Sequence, residues 1–223
     1  MTYQMQTSED KIVIGVDEAG RGPLFGPVYT GALVLPCETA LDRTKLKDSK
    51  KFTSKKKINS VYDDIIECCQ YYGIDYADVD EIDKYNILQA TQRSMHRSLN
   101  KLIQKLLKDY DESIFEKIII YVDGNYFNTF KYFHNNQFYI LKHQCIVKGD
   151  SLSKEISGAS ILAKVSRDKH IEQYIEKYPD YDDKYGLLSN KGYAAKKHIE
   201  GIKTFGYTEY HRKSFKLKCL NKQ

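Results

Sequence analysis

The sequence predicts an α/β fold: a mixed central β-sheet flanked by helices, with a small helical portion at the C-terminus. Three observations predict it. Lys11–Asp17 (KIVIGVD) and Lys117–Asp123 (KIIIYVD) are short, almost unbroken apolar, β-branched runs, the pattern of strands covered on both faces. Segments at about 80–106 and 153–178 carry apolar residues in steps of mostly three and four, which makes one face of a helix apolar. The strands and helices are interspersed along the chain, so helices should pack on both faces of one sheet. The 223 residues read as a single domain over 1–223, with a core of about 11–180 and a helical C-terminal portion of about 181–223. A chain this long can bury its core without disulfides or structural metal.

The elements follow in order. The Lys11–Asp17 strand should stop at Ala19-Gly20-Arg21-Gly22-Pro23, where Gly and Pro break regular structure. Val28–Leu35 reads as a second strand. Ser54–Tyr71 reads as a helix, with Ile58, Val61, Tyr62, Ile65 and Ile66 at helical spacing, and Gly73–Ala77 as a short strand. Asp80 is placed to cap a long helix whose stripe is Ile82, Tyr85, Leu88, Met95, Leu99, Leu102, Ile103 and Leu106. After the Lys117–Asp123 strand, another is expected within Phe138–Val147. Ser153–Tyr178 reads as a helix that ends before Pro179, and Asn190 as the cap of a last helix reaching about Lys203.

Charge is unevenly spread. Arg43–Lys57 holds eight basic residues and one acid, Lys191–Lys222 is again basic, and Val61–Asp83 holds eight acids and no base. One face should be positive, as in a protein that docks a polyanion. From charge alone, a solvated lysine loop fits equally well. The five cysteines, Cys37, Cys68, Cys69, Cys145 and Cys219, are odd in number and form no C-x-x-C. They read as reduced thiols of an intracellular, cytoplasmic protein rather than a disulfide framework or zinc site. Met1–Asp10 is polar and shows no secretory signal, and no run approaches the ~20 apolar residues of a spanning helix.

Three carboxylates, Asp17, Glu18 and Asp123, sit where strands end, the place where open α/β sheets build their sites. Neighbours on a strand point to opposite faces, so Asp17 and Glu18 are expected to share a site through the break at Ala19-Gly20. Asp168 is a fourth candidate, in the stripe Ile161, Val165, Asp168, Ile171, Ile175. A carboxylate in such a stripe needs a partner or a metal; for Asp168 alone, a salt bridge to Lys164 or Arg167 explains the position without one. Two carboxylates 4 Å apart repel by ~4 kcal/mol at an effective dielectric near 20. A bound cation relieves that, and oxygen-only ligands suit Mg2+ or Mn2+ rather than Zn2+. Two such ions can clamp the attacking water and leaving oxygen of a phosphodiester. No G-x-S-x-G or Cys–His nucleophile competes.

Gly20-Arg21-Gly22 lacks the spacing of a dinucleotide fingerprint, and no Gly-Lys-Ser/Thr follows to make a P-loop. What remains is a backbone that can approach a ligand closely, beside an arginine suited to phosphate. An ordinary hairpin turn with an exposed arginine also fits.

Taken together these blocks resemble ribonuclease HII, the type 2 ribonucleases H. Val16-Asp17-Glu18-Ala19-Gly20-Arg21-Gly22-Pro23 is similar to that family's opening signature. Asp48-Ser49-Lys50-Lys51, Glu81-Ile82-Asp83 with Asn86-Ile87-Leu88, Val122-Asp123-Gly124-Asn125 and Lys148-Gly149-Asp150-Ser151 follow in order. Then come Ile156 through Asp168 (ISGASILAKVSRD), Lys191-Gly192-Tyr193 and His211-Arg212-Lys213-Ser214-Phe215. The resemblance covers about 12–215. It implies a ribonuclease H-like fold, hydrolysis of the RNA strand of RNA–DNA hybrids, and incision at single ribonucleotides in duplex DNA. It implies Asp17, Glu18, Asp123 and Asp168 as catalytic metal ligands for two Mg2+ or Mn2+ ions. It gives Gly20, Arg21 and Gly22 the reading of the ribose 2′-hydroxyl, Tyr193 the packing on the neighbouring sugar, and Lys50 and Lys51 a place near phosphates. The C-terminal portion would serve substrate binding.

Gly158, Asn190 and Ala195 stand where the resemblance expects alanine, histidine and threonine, and 126–147 is longer and more aromatic than the family pattern. No sliding-clamp docking motif is seen at the C-terminus, and a monomer without membrane contact is expected. A non-catalytic hybrid-binding module and a DNA-cutting metal nuclease of the same fold are the alternatives.

Overall fold

The computed structural model describes residues 11–216. The polar Met1–Asp10 segment, Cys219 and the last residues, on which the clamp-docking reading falls, lie outside the described residues. Five strands form the main sheet: β1 (Ile12–Ala19), β2 (Val28–Leu33), β3 (Tyr72–Ala77), β4 (Ile118–Asp123) and β7 (Lys142–Ile146). Their order is β3-β2-β1-β4-β7. β2 is antiparallel to β1 and β3, and β4 is parallel to β1 and β7. The sheet is therefore mixed, as expected.

Helices cover both faces. α1 (Lys55–Cys68) is capped by Ser54, whose hydroxyl accepts the Lys57 N–H. It buries Ile58, Val61 and Ile65 against α4 (Lys154–Lys177), together with Leu33 and Leu35. Ser153 caps α4. α2 (Val79–Leu106) packs Met95, Leu99, Leu102, Ile103 and Leu106 on the opposite face, against Ile12, Ile14, Val16, Ile118, Ile120 and Val122. Burying each such side chain is worth about 1.5–3 kcal/mol. At Gly158 an added Cβ would run into the Leu33 side chain, so the packing here suits glycine rather than alanine.

The helix starts and stripes needed three corrections. The cap of α2 is Asp78, whose carboxylate accepts the Glu81 N–H, and Asp80 sits in the first turn. The expected stripe is broken at Asn86 (φ 65°, ψ 163°), a conformation that side chains other than glycine rarely adopt. The Asn86 side chain accepts the Gln89 N–H and restarts the helix. Tyr85 and Leu88, on either side of the break, consequently stay exposed. The third correction is Asn190. It ends α6 (Leu187–Asn190), whereas α7 (Lys196–Phe205) starts after Ala195 without a side-chain cap.

The aromatic 126–147 segment contains a separate hairpin, β5 (Lys131–His134) and β6 (Gln137–Ile140). Asn135 and Asn136 both have positive φ, as the tight turn of a twisted two-residue hairpin requires. Tyr132 and Tyr139 lean on Phe115, while Phe133 and Phe138 pair on the outer face. α3 (Gly149–Leu152) leads from β7 into α4. α5 (Asp180–Tyr185), α6 and α7 form the C-terminal portion. Its core of Tyr185, Leu187 and Ile202 packs against Leu24, Phe25, Ile171, Tyr174 and Ile175. No helix of the described residues is long and apolar enough to cross a membrane.

Candidate active site

The last parallel pair between β1 and β4 is Val16 with Val122. Beyond it β1 runs on to Ala19 paired only with β2. The strand thus continues through Glu18 to Ala19, two residues past the expected end at Asp17, and the break falls at Gly20 (φ 95°), within the expected breaker. The uncovered edge of β1 lets Glu18 reach, from the other face of the pleat, the cleft that Asp17 and Asp123 line. The notch arises because one strand outruns its neighbour.

Asp17, Glu18, Asp123 and Asp150 all line this cleft, with Gly20, Arg21, Gly22, Ser49, Lys50, Ser160, Lys164, Arg167 and Tyr193. Asp17 is buried, at 4% exposure. Burial, then Glu18 and Asp123, push its carboxyl well above the ordinary range, against hydrogen bonds from Ser160 and the Glu18 N–H. Burial also raises Glu18; Arg21, 3.4 Å away, opposes this and Asp123 adds to it. Asp150 is raised by burial, then by Asp48 and Asp123, and opposed by Lys50 at 4.0 Å. Asp123 accepts the Gly149 N–H at 2.6 Å, which fixes its carboxylate.

Asp168 is placed otherwise. Both its oxygens are taken by Lys164 Nζ, at 2.8 and 2.7 Å, and it does not line the cleft. The salt bridge that the sequence left open is the one observed. Asp150 stands in the cleft instead. It belongs to the Lys148-Gly149-Asp150-Ser151 block singled out in the sequence without a role; its 27-residue separation from Asp123, across the hairpin, hides the pairing. Lys50 lines the cleft, whereas Lys51 turns toward Ser151 (3.4 Å).

Mutually repelling carboxylates, two of them (Asp17 and Asp150) buried, fit a hard divalent cation in charge and donor type. As they stand, no three acidic, histidine or cysteine side chains among the described residues close to metal-holding distance. The acids that could supply oxygen donors in the cleft are Asp17, Glu18, Asp123 and Asp150.

The glycine turn is held from behind. A Cβ at Gly20 would overlap the Arg167 side chain, and its φ is open to glycine at no cost. Arg212 is fully buried and donates to the carbonyls of Gly20 (2.7 Å), Arg21 (2.9 Å) and Gly26 (2.9 Å). Arg167 donates to those of Pro27 and Phe25. Burial, then Arg167, pushes the Arg212 guanidinium down to about 9. In a trans peptide the N–H points opposite the carbonyl. With the Gly20 and Arg21 carbonyls drawn to Arg212, the N–H groups of Arg21 and Gly22 face away from it. Neither arginine's structural role was legible in the sequence, because the carbonyls they serve lie 140 or more residues away.

Tyr193 is half exposed and faces the turn: a Cβ on Gly22 would stand 3.5 Å from its ring. The turn before it is tied by Asn190, whose Oδ1 accepts the Gly192 N–H at 2.8 Å and whose Nδ2 donates to the Tyr185 carbonyl at 2.7 Å. Asn190 acts there as a turn residue instead of a helix cap.

The comparisons with known proteins agree with one another. A family model described as Ribonuclease HII matches residues 14–218. A ribonuclease HII of Francisella tularensis subsp. mediasiatica is 42% identical over 205 residues, covering 92% of this chain and 95% of that protein. The ribonuclease H2 of Pyrococcus horikoshii OT3 superposes with a TM-score of 0.68 at 24% identity, over 91% of this chain and 93% of that one. A Bst-RNase HIII solved in complex with Mn2+ gives a TM-score of 0.63 at 20% identity, over 88% of this chain and 63% of that one.

Proposed function

The chain belongs to the ribonuclease HII family, and from that premise we propose that it cuts RNA–DNA hybrids and incises duplex DNA on the 5′ side of a single embedded ribonucleotide. Membership makes it an endoribonuclease of the ribonuclease H type, dependent on divalent metal. The observation that carries the finer reading is that Asp17, Glu18, Asp123 and Asp150 share one cleft with the Gly20–Gly22 turn and Tyr193.

In this reading the four carboxylates hold two divalent ions, Mg2+ or Mn2+, and Asp168 orients Lys164 without joining them. The ions, when bound, offset the charge that develops on the phosphate. The Arg21 and Gly22 N–H groups offer hydrogen bonds to a 2′-hydroxyl, the group that tells RNA from DNA. The Tyr193 ring covers the adjoining sugar and packs most closely when that sugar lacks a 2′-hydroxyl, so it serves the single-ribonucleotide site more than continuous RNA. Lys50 binds phosphate. Water attacks the phosphorus on the 5′ side of the ribonucleotide and the P–O3′ bond breaks, leaving a 3′-hydroxyl and a 5′-phosphate. Residues of about 11–180 act as the catalytic core and the following portion as a substrate-binding part of the same domain. The free thiols Cys37, Cys68, Cys69 and Cys145 support a reducing, cytoplasmic setting.

The test incubates the protein with Mg2+ or Mn2+ and labelled duplexes: all-DNA, RNA–DNA hybrid, and DNA with one ribonucleotide. Cleavage of the last two only is expected. Binding without cleavage would make the protein a hybrid-binding module, and cutting of all-DNA would make it a DNA nuclease.

The two lysines should separate in a salt titration. Phosphate contacts position the duplex without reading bases. Lys50→Ala is expected to flatten the log–log dependence of affinity on salt by up to ~0.9, less on a hybrid than on B-form DNA. Lys51→Ala should leave it nearly unchanged. Equal slopes for wild type and Lys50→Ala would remove Lys50 from the interface.

A further inference from the structure

We infer that His211 and His198 form a one-way hydrogen-bond relay that positions Tyr193 for ribose recognition, an inference that rests on the proposed role of Tyr193. Both imidazoles are fully buried. Their Nε2 atoms are 3.1 Å apart, so one ring must donate and the other accept. The direction is settled at the far end. His211 Nδ1 faces the Thr208 backbone N–H at 2.9 Å. A peptide N–H can only donate, so His211 Nδ1 carries no proton and its Nε2 does. His211 therefore donates to His198 Nε2. His198 in turn must carry its proton on Nδ1, which faces the Tyr193 carbonyl at 2.8 Å and donates to it. Thr208, His211, His198 and Tyr193 are thus linked in one sense only.

The surroundings hold both rings neutral. Phe25, Tyr185 and Tyr207 pack around them, and no carboxylate faces either ring among these contacts. Burial, then His198, pushes His211 down to about 3, and burial lowers His198. A second proton on either ring would set two N–H groups against each other. The relay ends on the main chain of Tyr193 and leaves the ring free, which is what a positioning device requires. The same short segment carries Arg212, so one C-terminal stretch orders both the glycine turn and the tyrosine that faces it.

Three measurements test this. In the wild-type protein, 15N–1H correlations of the imidazoles should show His211 protonated on Nε2 and His198 on Nδ1; the opposite tautomers overturn the relay whatever the variants do. His211→Phe keeps the volume and removes the donor. It is expected to lower kcat/KM on the single-ribonucleotide duplex by about tenfold or more, the scale of a displaced positioning group. His211→Gln, which can still donate to His198, should recover to within about threefold of wild type. In a Tyr193→Ala background His211→Phe should cost less than about twofold, because the ring it positions is gone. An equal loss in that background, or a Gln variant as poor as Phe, would show a merely structural role and overturn the proposal. Impaired Tyr193→Ala with unimpaired His211→Phe overturns the relay alone. Unimpaired Tyr193→Ala overturns the reading of Tyr193 itself.

Discussion

Asp123→Asn is expected to lower turnover by at least about a hundredfold while leaving hybrid affinity within about threefold. The carboxylate sits at the end of β4, held by the Gly149 N–H at 2.6 Å, and faces the cleft with Asp17 and Glu18. Replacing it with a neutral amide keeps the shape and removes one charge from the cleft. Stabilisation that acts on charge developing in the transition state is lost at a cost of this size, whereas phosphate contacts that hold the duplex are untouched. Asp150→Asn should behave alike. Asp168→Asn should cost less than about tenfold, since its carboxylate meets Lys164 outside the cleft. Steady-state kinetics with binding measured in parallel decides the matter. Turnover of Asp123→Asn within tenfold of wild type sinks the assignment of the site. A loss in Asp168→Asn as large as in Asp150→Asn returns Asp168 to the donor set.

Tyr193→Ala is expected to lose single-ribonucleotide incision by about a hundredfold, with metal binding unchanged. The ring lies half exposed at the cleft, facing the glycine turn across which a ribose would sit. Removing it leaves the carboxylates in place and, on the proposed reading, takes away the group that selects the sugar beside the cut. A small misplacement of the reacting bond costs this order of rate. The duplex carries one ribonucleotide, and the cut is mapped for wild type and variant side by side. Wild type should cut on the 5′ side and leave a 3′-hydroxyl. Cutting on the 3′ side, or equal activity in the variant, would show that turn and tyrosine do not read the ribose.

How much of this was legible in the sequence follows from the range of the interactions. The strands, the helix starts near Ser54 and Ser153, and the acids at the ends of β1 and β4 rest on local periodicity and breakers, and a chain of 223 residues states these directly. Asp17, Glu18 and Asp123 could be named because each ends or nearly ends an apolar run. The Asp168–Lys164 bridge was also a local possibility, four residues apart on one helix, and only the structure chose it over a place in the cleft. Asp150 lies beyond an inserted hairpin, so its approach to Asp123 depends on the parallel pairing of β4 with β7. The Asn86 break and the cap at Asp78 were missed because a stripe of apolar residues does not reveal an interruption in the backbone that carries it.

What the sequence determined by itself is therefore the fold class and the place of the acids and the glycine turn at strand ends. What only the tertiary structure decided is which acids face one cleft, and what holds the turn and Tyr193 in place. Arg212 with the Gly20 carbonyl, and His211 with His198 and Tyr193, are contacts of buried polar groups whose partners are main-chain atoms far off in sequence or side chains across a turn. A main-chain carbonyl is the same at every residue, so no pattern of side chains can announce which one a buried donor will find.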